Sequence, residues 1–239
     1  MDEKRMTDIL RNYQTVLERI SQAAVRAGRK TDDIQIVAVS KTHPVGAIIQ
    51  AYDAGIVHFG ESKVQEAEGK FNRLFQLKPD LKIIRHLVGH LQSNKVKKAL
   101  ALFDIIHSVD SLHLGKEISI RAAAAGTEAK ILLQVNTSGE ASKYGASPDQ
   151  APELAAKLAE LPGLKIQGLM TIGAFLPEAE QVRPCFIKLK RLSEQIAELK
   201  LPNVEMKYLS MGMTSDFEIA VEEGANLLRI GTAIFGERK

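Results

Sequence analysis

An eight-stranded parallel α/β barrel, (β/α)8 in the TIM-barrel class, with one helix added at its front is the fold this sequence predicts. Three observations predict it. Eight short runs rich in apolar and β-branched residues alternate with helical stretches, a rhythm that pairs strands in parallel through crossover helices. The eight runs fit within about 200 residues, the usual span of such a barrel. No linker, low-complexity stretch or charge block divides the 239 residues, so a single domain over residues 1–239 is expected. An open doubly wound sheet shares the rhythm and is the competing architecture.

The elements follow in order. Met6, Ile9, Leu10, Tyr13, Val16, Leu17, Ile20, Ala23, Ala24 and Ala27 recur at spacings of three and four, which makes an amphipathic first helix. Gly28 stands where its C-cap needs a residue free to take positive φ. Ile34–Val39 is the first strand. A helix over 43–55 has Pro44 in its first turn and Gly55 at its end. Val57–Gly60 is the second strand, followed by a helix over 61–75. Lys82–Val88 is the third strand, followed by a helix over 93–102. Asp104–Val109 is the fourth, with Ser111 capping a helix that runs to Ala125. Ala129–Val135 is the fifth, followed by a helix over 148–161 closed by Pro162-Gly163. Leu164–Ile172 is the sixth, followed by a long helix over 178–199 that contains Cys185. Val204–Ser210 is the seventh, followed by a helix over 215–223 that the pair Ser215 and Glu218 opens as a capping box. Leu227–Ile230 is the eighth.

Composition removes several classes of function. With 45% apolar and 26% charged residues, wholesale disorder is excluded. The net charge of +3 is spread along the chain, so no nucleic-acid partner is expected, and Lys95, Lys97 and Lys98 read as a solvated helix face. No apolar run reaches the roughly 18 residues of a membrane span, and the start Met1-Asp2-Glu3-Lys4-Arg5 leads into no secretory core, so neither membrane nor export is expected. The single cysteine fits a reducing compartment, and a cytoplasmic place is the expectation. His86 and His90 are four apart but span a strand end and a turn, so no metal is expected there.

In a barrel of this kind chemistry sits where strands end and loops begin on the carboxyl side. Val37, Val39 and Lys41 share one strand face. If that face is the inner one, Lys41 tops the interior, and partial desolvation favours the neutral amine that forms a Schiff base. A lysine at a strand end also snorkels to solvent, so position alone leaves both readings open. Ser210-Met211-Gly212-Met213-Thr214-Ser215 after strand seven and Gly231-Thr232 after strand eight supply small residues and hydroxyls suited to a barrel phosphate site; turn formation alone would also account for the glycines. No Lys-Ser or Lys-Thr follows the glycines as in a Walker loop, so triphosphate chemistry is unsupported. Arg229 shares its strand face with Gly231, and an arginine in a barrel mouth needs an anion or an acceptor. Lysine, phosphate cradle and arginine at one mouth suit pyridoxal 5′-phosphate (PLP).

The segments Val37-Ala38-Val39-Ser40-Lys41-Thr42, Phe59-Gly60-Glu61, Gly89-His90-Leu91-Gln92-Ser93-Asn94-Lys95, Gly168-Leu169-Met170-Thr171-Ile172, 209–216 and 229–236 together resemble the pyridoxal phosphate homeostasis protein family, relatives of the barrel domain of alanine racemase. The resemblance implies a cofactor-binding barrel with Lys41 as the Schiff-base lysine. It also implies phosphate contacts from Ser210, Gly212, Gly231 and Thr232, and Arg229 at the pyridine nitrogen. One departure is Ser62, where the family usually carries Asn near the cofactor.

A guanidinium only donates, so its ring partner should be unprotonated, which makes a poorer electron sink. Racemisation further needs an acid/base group on each side of the α-carbon. In the racemases one such group is a tyrosine from a second domain, and Tyr13, Tyr52, Tyr144 and Tyr208 offer no match. The resemblance thus points to a monomer that binds, buffers and delivers PLP, with PLP-dependent apoenzymes as recipients and no catalytic residue assigned. A weak amino-acid racemase is the alternative.

Overall fold

Eight parallel strands close into one barrel in strict sequence order: β1 (Gln35–Val39), β2 (His58–Glu61), β3 (Ile84–Leu87), β4 (Ile105–Val109), β5 (Ala129–Gln134), β6 (Leu164–Met170), β7 (Val204–Ser210) and β8 (Leu227–Ile230). The structure is a computed structural model that describes residues 2–237, with side chains from residue 8 onward. Closure comes from β1 pairing β8, with Gln35 opposite Leu227 through to Ala38 opposite Ile230, which decides against the open sheet. The helices are α1 (Asp2–Arg26), α2 (Val45–Asp53), α3 (Val64–Leu77), α4 (Val96–Leu102), α5 (Leu112–Ala124), α6 (Ala151–Ala159), α7 (Arg183–Glu198), α8 (Phe217–Glu222) and α9 (Thr232–Phe235). Among the described residues, no helix is long and apolar enough to cross a membrane.

The alternation of strand side chains sorts the core into two parts. Outward-facing Ile36, Ala38, Phe59, Leu87 and Ile106 pack under the helices. Val37, Ile105, Leu132, Met170, Tyr208 and Leu227 form a smaller cluster inside the barrel. Phe59, Phe71, Phe186 and Phe217 are fully buried and anchor the outer layer.

The long first helix lays Ile9, Val16, Ile20, Ala23 and Ala24 into that layer; Met6, expected on the same stripe, lies outside the residues whose side chains are described. Gly28 at φ +65° ends α1 as expected: its N–H reaches Val25 O, and Arg29 N–H reaches back to Ala24 O. From this helix and its end, Asn12 Nδ2 donates to Ile234 O, Arg29 Nη1 donates to Val221 O and Ala225 O, and Arg19 donates to Glu218 across the face of Phe217. The first helix therefore backs the last two.

Several boundaries move. The helix expected from residue 61 starts at Val64, because Gly60 and Glu61 continue β2. The helices expected from 93, 148 and 178 each open with a 3-10 turn (Ser93–Lys95, Pro148–Gln150 and Ala179–Val182). The sixth strand stops at Met170, where Thr171 turns its hydroxyl onto Val135 O at 2.7 Å. The capping box at Ser215 does not form. Asp216 holds the N-cap position, its carboxylate takes the Met213 N–H at 2.6 Å, and Glu218 is drawn away by Arg19. Ser111 does cap α5, accepting from Leu114 N–H.

The seam between β7 and β8 is thin. Ser210 opposite Leu227 is its one registered pair, and the Asn226 side chain completes it by accepting from Leu209 N–H at 2.8 Å and donating to Lys207 O at 2.7 Å.

Candidate functional site

At the carboxyl ends of the strands lies a cavity of about 300 Å³. Its wall runs from Val39, Lys41 and His43 at β1, past Ser62, Val88 and Ile172, to Met213–Ser215 after β7 and Arg229, Gly231 and Thr232 at β8. Lys41 is half-buried and faces this cavity with Val39 below it. The first strand's inner face thus carries Lys41 into the cavity wall.

The loop that carries Lys41 is gripped on both sides. Ser40 Oγ donates to Glu61 Oε1 at 2.7 Å, and Ser40 O accepts from Lys70 Nζ at 2.8 Å. Thr42, held at φ +68°, donates its N–H to Glu66 Oε1. Lys70 joins the two carboxylates, 2.6 Å from Glu61 and 3.0 Å from Glu66. Lys70 and Glu61 are both buried, and the second Glu61 oxygen, Oε2, has no hydrogen-bond partner among the described residues. Burial pushes the Glu61 carboxyl up, with Lys70 and Ser40 opposing. Burial also acts on Glu66, but the Thr42 N–H and Lys70 outweigh it and hold that carboxyl below its ordinary value.

Arg229 is buried, and among the described residues no carboxylate is in hydrogen-bond contact with it. Nη1 donates to Ser210 Oγ and Nη2 to Thr171 O, both at 2.7 Å, leaving three of the guanidinium's five N–H donors for other partners. Burial lowers its pKa to about 10, with the field of Asp216 opposing, so it remains a cation at neutral pH. Asp216 itself is pushed up by burial and pulled back by the Met213 N–H and Arg229.

The β7 and β8 loops meet where Thr214 Oγ1 accepts from Ala233 N–H at 3.3 Å. Gly212, at φ +91°, sits beneath this junction, and a Cβ there would lie 2.6 Å from Ala220 Cβ and 3.1 Å from Phe217 Cα. The expected site therefore comes together in part. Lys41, Arg229, Gly231 and Thr232 line the cavity. Ser210 and Gly212 stand behind its wall, because Ser210 Oγ is engaged by Arg229 and by His107 Nδ1 at 3.0 Å.

Sequence reading missed Lys70 and His43 as parts of the site, and it gave Thr214 and Ser215 only as members of the loop suited to phosphate. One signal did exist for Lys70: it falls within the buried stripe of α3, beside Val64, Ala67, Phe71 and Leu74, where a charge is out of place without partners. Ser62 lines the cavity at the position noted as a departure. His86 contacts His58 and His107, while His90 stacks on Tyr144 with ring centroids 4.0 Å apart. Cys185 is buried in α7, and Lys98 pairs with Glu68 of α3.

Comparison with known proteins sets this geometry in context. Residues 9–239 match the model of the alanine racemase N-terminal domain. The chain is 42% identical over 224 residues to the pyridoxal phosphate homeostasis protein of Aquifex aeolicus, covering 94% of this chain and 96% of that one. Among solved structures, an unknown protein from Bifidobacterium adolescentis superposes with a TM-score of 0.94 at 39% identity, covering 98% of this chain and 97% of the other. PipY of Synechococcus elongatus with PLP bound superposes with a TM-score of 0.78 at 36% identity, covering 92% and 100%.

Proposed function

This chain belongs to the pyridoxal phosphate homeostasis protein family, a branch of the alanine racemase N-terminal-domain fold, and we propose from that premise that it binds PLP at the barrel mouth on Lys41 and serves to buffer and deliver that cofactor. One observation carries the reading: Lys41, in the loop after β1, and Arg229, on the neighbouring strand β8, share a single cavity with the Thr214, Ser215, Gly231 and Thr232 wall. The lining also fits the group chemically. Among the described residues it holds two cationic side chains and three hydroxyls besides Ser62, and no Asp or Glu, as an anionic ligand requires.

When bound, the group supplies an aldehyde that condenses with a primary amine, releasing water. Lys41 offers that amine from a backbone fixed by Glu61, Glu66 and Lys70. Thr214, Ser215, Gly231 and Thr232 are the residues to receive the anionic tail. Ser210 and Gly212 support it from behind, by holding Arg229 and the turn of the loop. Arg229 can only donate, so a ring nitrogen facing it keeps its lone pair and its electron-withdrawing power stays low. His43, the titratable side chain on the wall besides Lys41 and Arg229, comes from the same loop as Lys41. These features favour a carrier over a racemase. A monomeric state and PLP-dependent apoenzymes as recipients, which rest on the family resemblance, and a cytoplasmic place, which rests on the single cysteine, complete the proposal.

Borohydride treatment of protein loaded with PLP, followed by peptide mass mapping, tests it. The reduced adduct is expected on Lys41, and Lys41→Ala should lose covalent trapping while keeping some noncovalent ligand. Trapping at wild-type level in that variant would overturn the assignment. Incubation with L-amino acids should give α-proton exchange far slower than the order of 1 per second typical of enzymes.

A further inference from the structure

Beneath the cavity the barrel interior is crossed by a column of polar side chains. His58 Nδ1 lies 2.9 Å from His86 Nε2, and His86 Nδ1 lies 2.9 Å from His107 Nε2. His107 Nδ1 lies 3.0 Å from Ser210 Oγ, which accepts from Arg229 Nη1 at 2.7 Å. The column passes from β2 through β3 and β4 to β7 and β8. His86, His107 and Ser210 are fully buried; His58, the first residue of β2, is half-buried. Three of the six histidines in the chain are committed to it.

We infer that His58, His86 and His107 are held as neutral Nε2–H tautomers, forming a chain of aligned donors whose acceptor end faces Arg229 and positions the guanidinium in place of a carboxylate. The polarity follows from Arg229. A guanidinium has no acceptor, so Ser210 Oγ must accept from it, and the single hydroxyl proton has His107 Nδ1 as its acceptor. His107 then carries its proton on Nε2 and donates to His86 Nδ1. His86 in turn donates from Nε2 to His58 Nδ1.

The reverse polarity would leave the buried Ser210 proton without an acceptor, at about 1–3 kcal/mol. It would also aim three N–H dipoles positive end first at a buried cation. A mixed arrangement sets two lone pairs or two protons face to face. Protonation of a member is opposed by its surroundings. Burial, with His58 adding to it, lowers His86 to about 3. Burial lowers His107 well below its ordinary value, with His86, Arg229 and His58 contributing, and burial lowers His58 as well. The carboxylates that act on the column are Asp104, tied to Arg85 and favouring charge on His86, and Asp216, which acts on Arg229.

The consequence for ligand rests on the reading of Arg229 given above. A guanidinium solvated by neutral acceptors keeps its remaining N–H groups fully available, and no acid of the column can reach past it to protonate a ring nitrogen.

Long-range proton–nitrogen correlation spectra of the full chain, labelled with ¹⁵N histidine and free of PLP at pH 7, test the inference directly. All three imidazoles are expected with Nε2 protonated and Nδ1 bare. Nδ1–H on His86 or His107, or an imidazolium, would overturn it. In a second arm PLP is titrated into His107→Phe and His107→Asn. Asn keeps an acceptor for the Ser210 hydroxyl and Phe does not, so Phe should weaken PLP binding roughly tenfold and shift the absorption of the bound cofactor, while Asn recovers most of both. A folded His107→Phe with wild-type affinity and spectrum would also overturn the inference. If His107→Phe does not fold, the spectra of the unaltered chain decide alone. Loss of borohydride trapping at Lys41 would sink the functional reading and leave the tautomers untouched.

Discussion

Lys70 shows how one charge inside an apolar stripe can organise a loop, here the one that carries Lys41. It spans the two carboxylates that hold Ser40 and Thr42, so its removal leaves Glu61 buried without a counter-charge. Breaking such a pair from one side costs about 3–5 kcal/mol, whereas removing both partners costs much less. Lys70→Met is therefore expected to lower stability by about 3 kcal/mol and slow borohydride trapping at Lys41. Lys70→Met combined with Glu61→Gln should recover most of the loss, as a double-mutant cycle on urea unfolding would show. Additive losses would mean that the two side chains do not act as a pair. Arg85 on Asp104 is the exposed counterpart: its two hydrogen bonds, 3.0 and 2.8 Å long, clamp β3 to the start of β4 but stabilise less because water screens them.

Among the elements, α8 and the strand seam before it matter most to the cavity wall. This six-residue helix and its C-cap present Glu218, Glu222 and Glu223, which are met by Arg19 and Arg26 of α1 and Arg183 of α7. The β7–β8 seam beside it relies on Asn226. Asn226→Ala should lose about 1–3 kcal/mol by leaving Leu209 N–H and Lys207 O unpaired, and it should loosen PLP binding through the wall. Unchanged thermal unfolding in that variant would show that the backbone closes the seam without it.

Most of the elements were legible in sequence. Runs such as Ile34–Val39, and helix stripes such as that of α1, carry a period of two or 3.6 that burial enforces. The ends of strands one and eight were legible for the same reason, since alternation carries Lys41 and Arg229 inward with their neighbours. The column of histidines was not, because residues 58, 86, 107 and 210 meet only through strand tilt and closure, and no local period links them. The late start of α3, the 3-10 openings and the short α9 depend on hydrogen bonds that loops make in three dimensions, such as Asp216 with Met213. Nor could strand alternation show that Ser210 is already engaged by Arg229 and His107.

For the whole molecule, a barrel that stores neutral histidines at its centre should be sensitive to acid. Unfolded, His107 titrates near 6.5; folded, it stays neutral far below that. As pH falls below about 6.5 the unfolded chain takes up a proton that the folded chain refuses, so stability is lost, by about 1.4 kcal/mol per pH unit for each such histidine. Glu61 and Asp216, pushed up by burial, act in the opposite sense but are common to wild type and His107→Asn. Unfolding free energies from urea titrations between pH 6.5 and 5 should therefore fall less steeply for His107→Asn, by about 1 kcal/mol per pH unit. Parallel slopes in the two proteins would contradict a buried neutral His107.

Closure through β1 and β8 also fixes when the cavity can exist. During synthesis the lysine emerges early, while the arginine and the wall that faces it emerge only after some 190 further residues, by count from Lys41 to Thr232. Until the last strand zips onto the first, the amine has no anion receptor across from it. On the proposed assignment to Lys41, cofactor capture reports closure of the barrel, and bound cofactor in turn clasps the early and late segments together.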